Sequence, residues 1–457
     1  MPTNTEQQYL KSLGARILSE ANDLKRTAET LAAELGFSLD QVQDVIAGES
    51  NRATAHAVLH AMTEVYPVSI ADLWVEYDDT NWGVRIVSAS ESKGSQRVIE
   101  RRDRDSVWSP YYEYRDTAMS RTAPFKPEWI KELRVVHDSE PANPSIAYNN
   151  GHLMHQATFF VGPVNFYWEA NEQRHCVELN TGDSNYITPF VPHSFASRRP
   201  EHLGYIVAVT YGAEVRGALS ELGRLSPELL EQLVADPRAP SAAFARVLAR
   251  HASAESLSRD QFIERLVNVG FDKERARTLV INGSGPSVDE IEVIAEALNI
   301  RSSDLIVAPL IDEEEVVVKL RANSSPRDYP NSEAPAYELS ELARPRHQPL
   351  LKGFDVSVVG GYNGEMQHGL HEYIYNYGDA PAGFMWGDGH KATLEPGDSA
   401  YVRPMVAHRF HRIEDAEPAQ LIMMRVPGAL SGSVINELST YAPQGRDRVT
   451  LERQRWF

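Results

Sequence analysis

The sequence predicts an α+β protein built as a tandem repeat, in which a helical segment and a segment of short antiparallel strands each occur twice. Three observations support this prediction. Apolar residues recur at helical spacing near residues 9–76 and 216–308. Short apolar runs, separated by Gly, Pro, Asn and Asp, fill the regions near 80–212 and 312–428. Matched residues also recur at an offset of 234 residues between the helical segments, as in Gly36-Phe37 and Gly270-Phe271, and of 215 residues between the β segments, which indicates an internal duplication.

Length, charge and cysteine usage narrow the class of protein. The chain has 457 residues, enough for several domains, and a formal net charge of −19. This charge opposes non-specific DNA binding, although a local basic pocket can still hold a small anion. Because Cys176 is the single cysteine, internal disulfides are excluded, and we expect a reducing, cytoplasmic location. No apolar run approaches ~18 residues, so we expect neither a signal peptide nor a membrane span.

Residues 1–78 are predicted to form a helix-turn-helix-like domain. Gly36 should end one helix, Ser38 should cap the next, and Gly48 should close it. This plan makes a transcription regulator an alternative function of a different class. The helix that would enter DNA, residues 39–46, carries two acidic residues and no basic one, which is poorly suited to phosphate and base contacts.

The remaining segments follow the same alternation. We predict a first, catalytic antiparallel barrel at 79–215, a second helical domain at 216–310, a second, degenerate barrel at 311–430 and a charged tail at 431–457. The two barrels share a Gly-Asp-Ser turn, at 182–184 and again at 397–399. His193 matches His408 at the same offset of 215 residues.

A candidate metal site lies in the first barrel, at His152, Gln156 and His193. A His, a second polar residue four positions later and a distant His on another strand are typical of a mononuclear site in a small β-barrel. Residues i and i+4 of a straight strand lie ~13 Å apart, so Gly151 must let the chain bend at His152. His155 is an alternative ligand that the spacing leaves open.

The type of the third ligand matters for chemistry. Two His and one carboxylate on Fe(II) leave positions open for substrate and O₂. A Gln in place of the carboxylate is neutral, so the ion keeps its full charge and favours an anionic ligand from the substrate.

These residues resemble a known family. The run Asn149-Asn150-Gly151-His152, the ligand four residues on, and Pro192-His193 are similar to the phosphonate-oxidising non-haem Fe(II) oxygenases. That family includes hydroxypropylphosphonate epoxidase, hydroxyethylphosphonate dioxygenase and methylphosphonate synthase, and the tandem layout of the whole chain resembles the latter two. In the dioxygenase an acidic ligand precedes the last His by six residues, where this chain has Ile187. In methylphosphonate synthase the third ligand is a Gln at the position of Gln156, so the sequence most resembles that branch.

The resemblance implies fold, cofactor and substrate contacts. The barrels would be cupins, the cofactor Fe(II), and the substrates a small phosphonate and O₂. Arg offers a forked donor pair to phosphonate, Lys a point charge and Asn an amide donor. The residues implied to bind the phosphonate are Lys25, Arg104, Tyr112 and Asn149, with Tyr111 or Tyr114 in place of Tyr112 if the alignment shifts.

The implied reaction is O₂-dependent cleavage of the C–C bond of 2-hydroxyethylphosphonate, giving methylphosphonate and carbon dioxide or bicarbonate. The dioxygenase outcome, hydroxymethylphosphonate and formate, is the alternative within the family. A sugar-phosphate isomerase on the same barrel, which would need no O₂, is a further alternative. We expect a homo-oligomer with no nucleic-acid partner and no membrane association.

The second barrel keeps a similar triad in His368, Glu372 and His408, with His371 as a further candidate. It is a possible residual second metal site. The position equivalent to Asn149 is Glu365, and a carboxylate there would repel a phosphonate. We therefore expect the second barrel to be a structural copy.

Overall fold

The computed structural model describes residues 5–103, 105–307 and 315–456. Contacts between residues divide them into two compact units. One comprises the described residues up to Ala213, together with Val316–Arg344 and those from Leu350 onward. The other comprises the described residues between Glu214 and Glu315, together with Pro345–Pro349. Both β segments and the first helical segment therefore share one unit, whereas the second helical segment forms a unit of its own.

The helices of the described residues follow the predicted alternation. They are α1 (Thr5–Asp23), α2 (Ala28–Leu35), α3 (Leu39–Ala47), α4 (Arg52–Val65), α5 (Ile70–Leu73), α6 (Ala89–Gly94), α7 (Val215–Leu222), α8 (Pro227–Leu233), α9 (Pro240–Ala254), α10 (Arg259–Asn268), α11 (Lys273–Asn282), α12 (Val288–Leu298), α13 (Gly432–Ser439) and α14 (Pro443–Thr450), with 3₁₀ turns at Ser302–Leu305 and Arg321–Asn323. The last two helices lie in the tail, for which the sequence predicted no structure.

The strands fall between α5 and α7 and between α12 and α13, with α6 between the first two strands. They are β1 (Val84–Val87), β2 (Arg97–Arg102), β3 (Trp108–Asp116), β4 (Phe125–Glu132), β5 (His155–Val161), β6 (Val164–Ala170), β7 (Gln173–Leu179), β8 (Ser184–Ile187), β9 (His193–Ser197), β10 (Tyr205–Tyr211), β11 (Val316–Lys319), β12 (Arg327–Tyr329), β13 (Tyr337–Glu341), β14 (Lys352–Val358), β15 (His371–Asn376), β16 (Ala382–Trp386), β17 (His390–Leu394), β18 (Ser399–Val402), β19 (His408–Arg412) and β20 (Ala419–Val426).

Helices α1–α5 form a bundle whose boundaries are set by local hydrogen bonds. α2 ends at Gly36 and α3 at Gly48, both with positive φ (74° and 72°) that glycine adopts without strain. Ser38 caps α3 by accepting a hydrogen bond from the Gln41 backbone, and the Gln41 side chain accepts one from Ser38 in return. The predicted boundaries at Gly36, Ser38 and Gly48 are confirmed. The core of the bundle includes Leu13, Ile17, Leu31, Val45, Val58 and Leu59.

The strands form four sheets, and their strand pairs are antiparallel. The first large sheet has the order β11-β8-β5-β10-β4-β3-β2, and the second has the order β1-β18-β15-β20-β14-β13-β12. Two small sheets have the orders β7-β6-β9 and β17-β16-β19. We call the first large sheet and the β7-β6-β9 sheet the first β unit, and the second large sheet and the β17-β16-β19 sheet the second β unit.

The sheets are open, so the prediction of closed barrels is wrong in this respect. Within the described chain, no pair of these strands joins a large sheet to a small one. The two sheets of a unit are instead held by apolar packing between their faces. In the first β unit Tyr112, Phe160 and Ile206 of the large sheet pack with Phe166 and Phe195 of the small one. Packing requires no continuous hydrogen-bond ladder, which is why the β pattern alone did not distinguish the two arrangements.

Each large sheet takes its first strand from the other half of the chain. β1 pairs with β18, with Val84 opposite Val402, and β11 pairs with β8, with Val316 opposite Ile187. The two β units therefore fold as one body rather than as separate domains. The large sheets also share an apolar layer, which includes Phe125, Phe159, Val209, Tyr373, Ile422 and Met424.

Helices α9–α12 form the core of the second compact unit. Phe244, Leu248, Phe262, Leu279 and Ile294 are buried together there. None of the helices in the described parts of the chain combines the length and apolar character that a transmembrane span requires.

Candidate metal centre

The chain bends immediately before the first candidate ligand. Gly151 has a φ of +70°, and a Cβ at this position would lie 2.4 Å from the carbonyl carbon of Phe190. Only glycine fits both the backbone conformation and the space. The Phe190 backbone N–H donates to the His152 carbonyl at 2.8 Å, which fixes the bend. Because β5 begins only at His155, the separation expected for a straight strand does not apply to His152 and Gln156.

Strand alternation separates the two candidate histidines near residue 152. In β5, His155 stacks on Tyr211 at a ring-centroid distance of 5.1 Å and bonds the Tyr186 hydroxyl at 2.6 Å, within the layer between the large sheets. Gln156 points to the opposite face, where its Oε1 lies 3.2 Å from His152 Nε2. The structure therefore groups His152, and not His155, with Gln156.

His193 comes to the same place from the start of β9. Its ring centroid lies 5.3 Å from that of His152, with the two rings nearly perpendicular. Asn149 ties this strand to the bend, because its Oδ1 accepts from the backbone N–H groups of His193 at 2.8 Å and Gly151 at 3.0 Å. The three candidate ligands thus converge from two segments that one asparagine holds together.

Hydrogen bonds orient the imidazoles of both candidate ligands. His152 Nδ1 donates to the Met154 carbonyl at 2.9 Å, and His193 Nδ1 donates to the Val191 carbonyl at 2.8 Å. A ring that donates from Nδ1 carries its lone pair on Nε2, which in both residues faces the site. Burial also lowers the pKa of His193 to about 4, so this ring is neutral near pH 7. The donor set therefore fits a divalent cation.

The Gln156 amide is also held in one orientation. Its Nε2 donates to the Thr158 hydroxyl at 2.9 Å, which turns Oε1 toward His152. Gln156 and Thr158 are both buried, with 4% and 1% of their surface exposed. Directly across the β5–β8 pair from Gln156 lies Ile187, which is 1% exposed. The candidate ligand is thus an amide whose oxygen faces the histidines, with an apolar neighbour on the next strand.

These side chains line a cavity of about 190 Å³. Arg101 is its principal cationic side chain: its Nη1 donates to the Ala147 carbonyl at 3.0 Å, and its guanidinium lies 4.6 Å from the Tyr112 ring centroid. Glu128 also lines the cavity. Burial raises its pKa, and Arg97 pairs with it at 3.2 Å. The lining residues are Arg101, Tyr112, Tyr114, Glu128, Ile130, Asn149, His152, Met154, Gln156, His193, Phe195 and Thr210.

Comparison with known proteins identifies the family. No family model matches the chain. The chain is 36% identical over 457 residues to the methylphosphonate synthase of Nitrosopumilus maritimus, an alignment that covers 98% of this chain and 96% of the relative. The chain belongs to the family of methylphosphonate synthase and 2-hydroxyethylphosphonate dioxygenase. The family resemblance predicted from the sequence is confirmed.

Two further relatives agree with this assignment. A structure of Streptomyces albus HEPD with the substrate 2-hydroxyethylphosphonate and Fe(II) bound is 32% identical, has a TM-score of 0.88, and covers 98% of this chain and 99% of its own. The 2-hydroxyethylphosphonate dioxygenase of Streptomyces viridochromogenes is 26% identical over 413 residues, covering 85% of this chain and 87% of the relative. The transcription-regulator alternative gains no support from these relatives.

The substrate residues implied by this phosphonate-oxidising family fall in different places. Tyr112 and Asn149 line the cavity, and so does Tyr114. Lys25 is not among the lining residues. Its ammonium donates to the carbonyls of Asn22 at 3.2 Å and Asp23 at 3.0 Å, and lies 4.5 Å from the Trp456 ring centroid. Arg104 lies outside the described residues.

Sequence reasoning missed two residues of the site in this family member. Arg101 was overlooked because its place depends on the β2–β3 hairpin, where the register shifts between Ile99 and Glu100. A bulge of this kind changes which side chains face the cavity without a clear sequence signal. Thr158 could have been found, because it lies two residues after Gln156 and must share its face of the strand.

The triad of the second β unit is also brought together. The ligand atoms of His368, Glu372 and His408 all lie within 4.8 Å of one another. Glu372 Oε2 is 3.3 Å from His368 Nε2 and 2.7 Å from His408 Nε2. His371 belongs to the opposite face of β15, where it bonds the Tyr401 hydroxyl at 2.8 Å. Glu365 is exposed.

Proposed function

We propose that this protein is a methylphosphonate synthase that holds Fe(II) with His152, Gln156 and His193. It uses O₂ to cleave the C–C bond of 2-hydroxyethylphosphonate, giving methylphosphonate and carbon dioxide or bicarbonate. The observation that carries this proposal is the convergence of an amide oxygen and two oriented imidazoles in one cavity, in a chain 36% identical to a methylphosphonate synthase. Bound Fe(II) would supply the activation of O₂.

The charge of the site suits a phosphonate. All three donors are neutral, so a bound divalent ion keeps its full charge, and Arg101 adds a second positive centre in the same cavity. Arg97 offsets the charge of Glu128. A dianionic substrate would therefore meet net positive charge, and its phosphonate and hydroxyl oxygens are hard donors suited to such an ion.

We propose that Arg101 takes the phosphonate-binding role that the resemblance assigned to Arg104. Its guanidinium keeps donors beyond the one used on Ala147, and it can offer a forked pair to the phosphonate. Asn149 would add an amide donor, since its Nδ2 lies 3.0 Å from His193 Nε2 and so points into the site. Tyr112 packs beneath Arg101, while its hydroxyl accepts from the Phe195 backbone at 2.9 Å. That leaves Tyr114 as the tyrosine hydroxyl we assign to the substrate.

Lys25 is retained as a substrate residue only in a homo-oligomer. Lys25 does not line the cavity of its own chain. We therefore propose that Lys25 binds the phosphonate in the cavity of a neighbouring copy. A mixture of Lys25→Ala and His152→Ala chains should then regain part of the activity that each lacks alone. No recovery after co-refolding would remove Lys25 from the proposal.

The finer architecture and location are part of the same proposal. We propose that each pair of large and small sheets is a cupin unit that follows a helix-turn-helix-like helical segment. We also propose a cytoplasmic location, because the one cysteine, Cys176, is a free thiol.

The dioxygenase outcome is the second candidate, because HEPD from Streptomyces albus is similar over nearly the whole chain. Two positions favour the synthase. Gln156 offers an amide oxygen, and Ile187 places an apolar, buried side chain where the resemblance implies an acidic ligand in the dioxygenase. The products diverge late in the reaction, so small differences in how the fragments are held decide between them.

The test is anaerobic reconstitution with Fe(II), followed by exposure to O₂ with 2-hydroxyethylphosphonate and phosphorus NMR of the products. We expect methylphosphonate without any added flavin, nicotinamide or 2-oxo acid. Deuterium placed at C2 of the substrate should appear in the methyl group. His152→Ala and His193→Ala should lose both turnover and iron. Hydroxymethylphosphonate and formate as main products would replace the synthase proposal with the dioxygenase.

A further inference from the structure

The second β unit contains a triad that resembles a complete two-His-one-carboxylate site. Glu372 is fully buried, and His408 is 2% exposed. His408 Nδ1 donates to the Val406 carbonyl at 2.9 Å, so the neutral form of the ring carries its lone pair on Nε2. This nitrogen faces the Glu372 carboxylate, whose Oε2 lies 2.7 Å away. One imidazole and the carboxylate are thus already oriented as they would be around a cation.

The guanidinium of Arg425 is paired with the carboxylate of Glu372. Arg425 Nε donates to Glu372 Oε1 at 2.8 Å. The same guanidinium contacts Met366 Sδ at 3.1 Å and lies 5.3 Å from the Phe354 ring centroid. These contacts hold the guanidinium in one position, so the charge of Glu372 is compensated without a metal ion.

The second imidazole is oriented differently from its counterpart in the first β unit. The Leu370 backbone N–H donates to His368 Nδ1 at 3.3 Å, so the ring proton must be on Nε2. That Nε2 faces Glu372 Oε2 at 3.3 Å. In the first unit, by contrast, His152 Nδ1 donates to a carbonyl and its Nε2 is free to coordinate. His368 therefore presents a proton where a metal would need a lone pair.

The sheet register shows how the two units differ at the position opposite the third candidate ligand. Arg425 lies directly opposite Glu372 in the β20–β15 pair, and Thr210 lies directly opposite Gln156 in the β10–β5 pair. Arg425 therefore occupies the position that Thr210 has in the first unit, where it lines the cavity. In the first unit, neutral Gln156 stands opposite the short side chain of Thr210, beside a cavity. In the second unit, anionic Glu372 stands opposite the long, cationic side chain of Arg425.

We propose that the second β unit holds a latent metal site that Arg425 keeps closed by acting as its internal cation. A divalent ion bound to the triad would lie beside the guanidinium, and the two charges would repel each other in a buried setting. Replacing Arg425 removes this repulsion and opens the space in front of the triad. With an ion bound, the neutral His368 ring carries its proton on Nδ1 and coordinates through Nε2, which replaces the 3.3 Å hydrogen bond from the Leu370 backbone.

The test measures metal content and does not depend on the proposed reaction. The full-length chain carrying His152→Ala and His193→Ala, which disables the first site, is titrated with Fe(II) and with Co(II) under argon. We expect it to bind no metal. Adding Arg425→Thr should create one site per chain, and a further His408→Ala should abolish it. Arg425→Lys, which keeps the positive charge, is the matched control and should bind none.

Two results would overturn the proposal. The first is metal bound by the chain with only His152→Ala and His193→Ala and lost on adding His408→Ala, because the second site would then be open already. The second is a folded Arg425→Thr chain, verified by circular dichroism, that binds no metal. If that variant does not fold, Arg425→Gln replaces it, since Gln is neutral but can still donate to Glu372.

Discussion

Thr158 offers a sensitive test of how the candidate metal ligand Gln156 is oriented. Its hydroxyl accepts the hydrogen bond from Gln156 Nε2 at 2.9 Å, and both residues are almost fully buried. Thr158→Val keeps the shape of the side chain but leaves a buried amide donor without a partner. Such a loss costs about 1–3 kcal/mol, and residues that orient metal ligands typically contribute roughly 10–100-fold to metal affinity. We therefore expect Thr158→Val to bind Fe(II) about 10–100-fold more weakly.

The assay is anaerobic calorimetric titration with Fe(II), accompanied by thermal unfolding of the metal-free chain. Thr158→Ser is the matched control, because it keeps the hydroxyl and loses only a methyl group, and its Fe(II) affinity should stay within a few-fold of the wild type. A Thr158→Val protein that folds normally and binds Fe(II) as tightly as the wild type would refute the reasoning. In that case the amide oxygen is held by something other than Thr158.

The remaining predictions concern the substrate, the third ligand and acid stability. Arg101→Ala should weaken phosphonate binding by about 2 kcal/mol or more, roughly 30-fold, with Fe(II) affinity unchanged; equal weakening of both in titrations would contradict a substrate role. Gln156→Val should lose Fe(II), and Ile187→Glu in the same chain should restore it, because directly opposite residues reach the same point; no restoration in a metal assay would show that the strands hold the ligand too rigidly. A hydrogen bond from Arg275 lowers the pKa of Glu290 to about 2. Because this pKa lies below that of Glu290 in the unfolded chain, the ion pair stabilises the fold above about pH 4.3. This stabilisation is lost as the pH falls toward 2. Glu290→Gln should therefore lose less stability than the wild type between pH 6 and pH 3 in urea unfolding followed by circular dichroism, and equal losses would argue against the pair.

Family and fold class were accessible from the sequence because their signals are local. Helix boundaries depend on hydrogen bonds between neighbouring residues, so Gly36, Ser38 and Gly48 were found from their types and spacing. The bend at Gly151 was required by the four-residue spacing of His152 and Gln156, and the structure shows it at a position where only glycine fits.

The site was only partly predictable. His155 could not be separated from His152 by spacing, because the choice depends on where β5 begins and which face of the strand is buried. Arg101 could not be recognised, because a register shift in the β2–β3 hairpin sets which side chains reach the cavity. Both outcomes follow from long-range strand pairing, which leaves little trace in the local sequence.

By itself, the sequence determined the duplicated helix-and-strand order, the family and the residue types at the candidate metal ligands, since these follow from periodicity, spacing and local caps. Only the tertiary structure decided that the sheets are open, that β1 and β11 are exchanged between the halves, and that Arg425 stands opposite Glu372 where Thr210 stands opposite Gln156. The physical reason is that strand pairing and face-to-face packing join residues hundreds of positions apart. Their free energy depends on which surfaces meet, a property of the whole folded chain and not of any one segment.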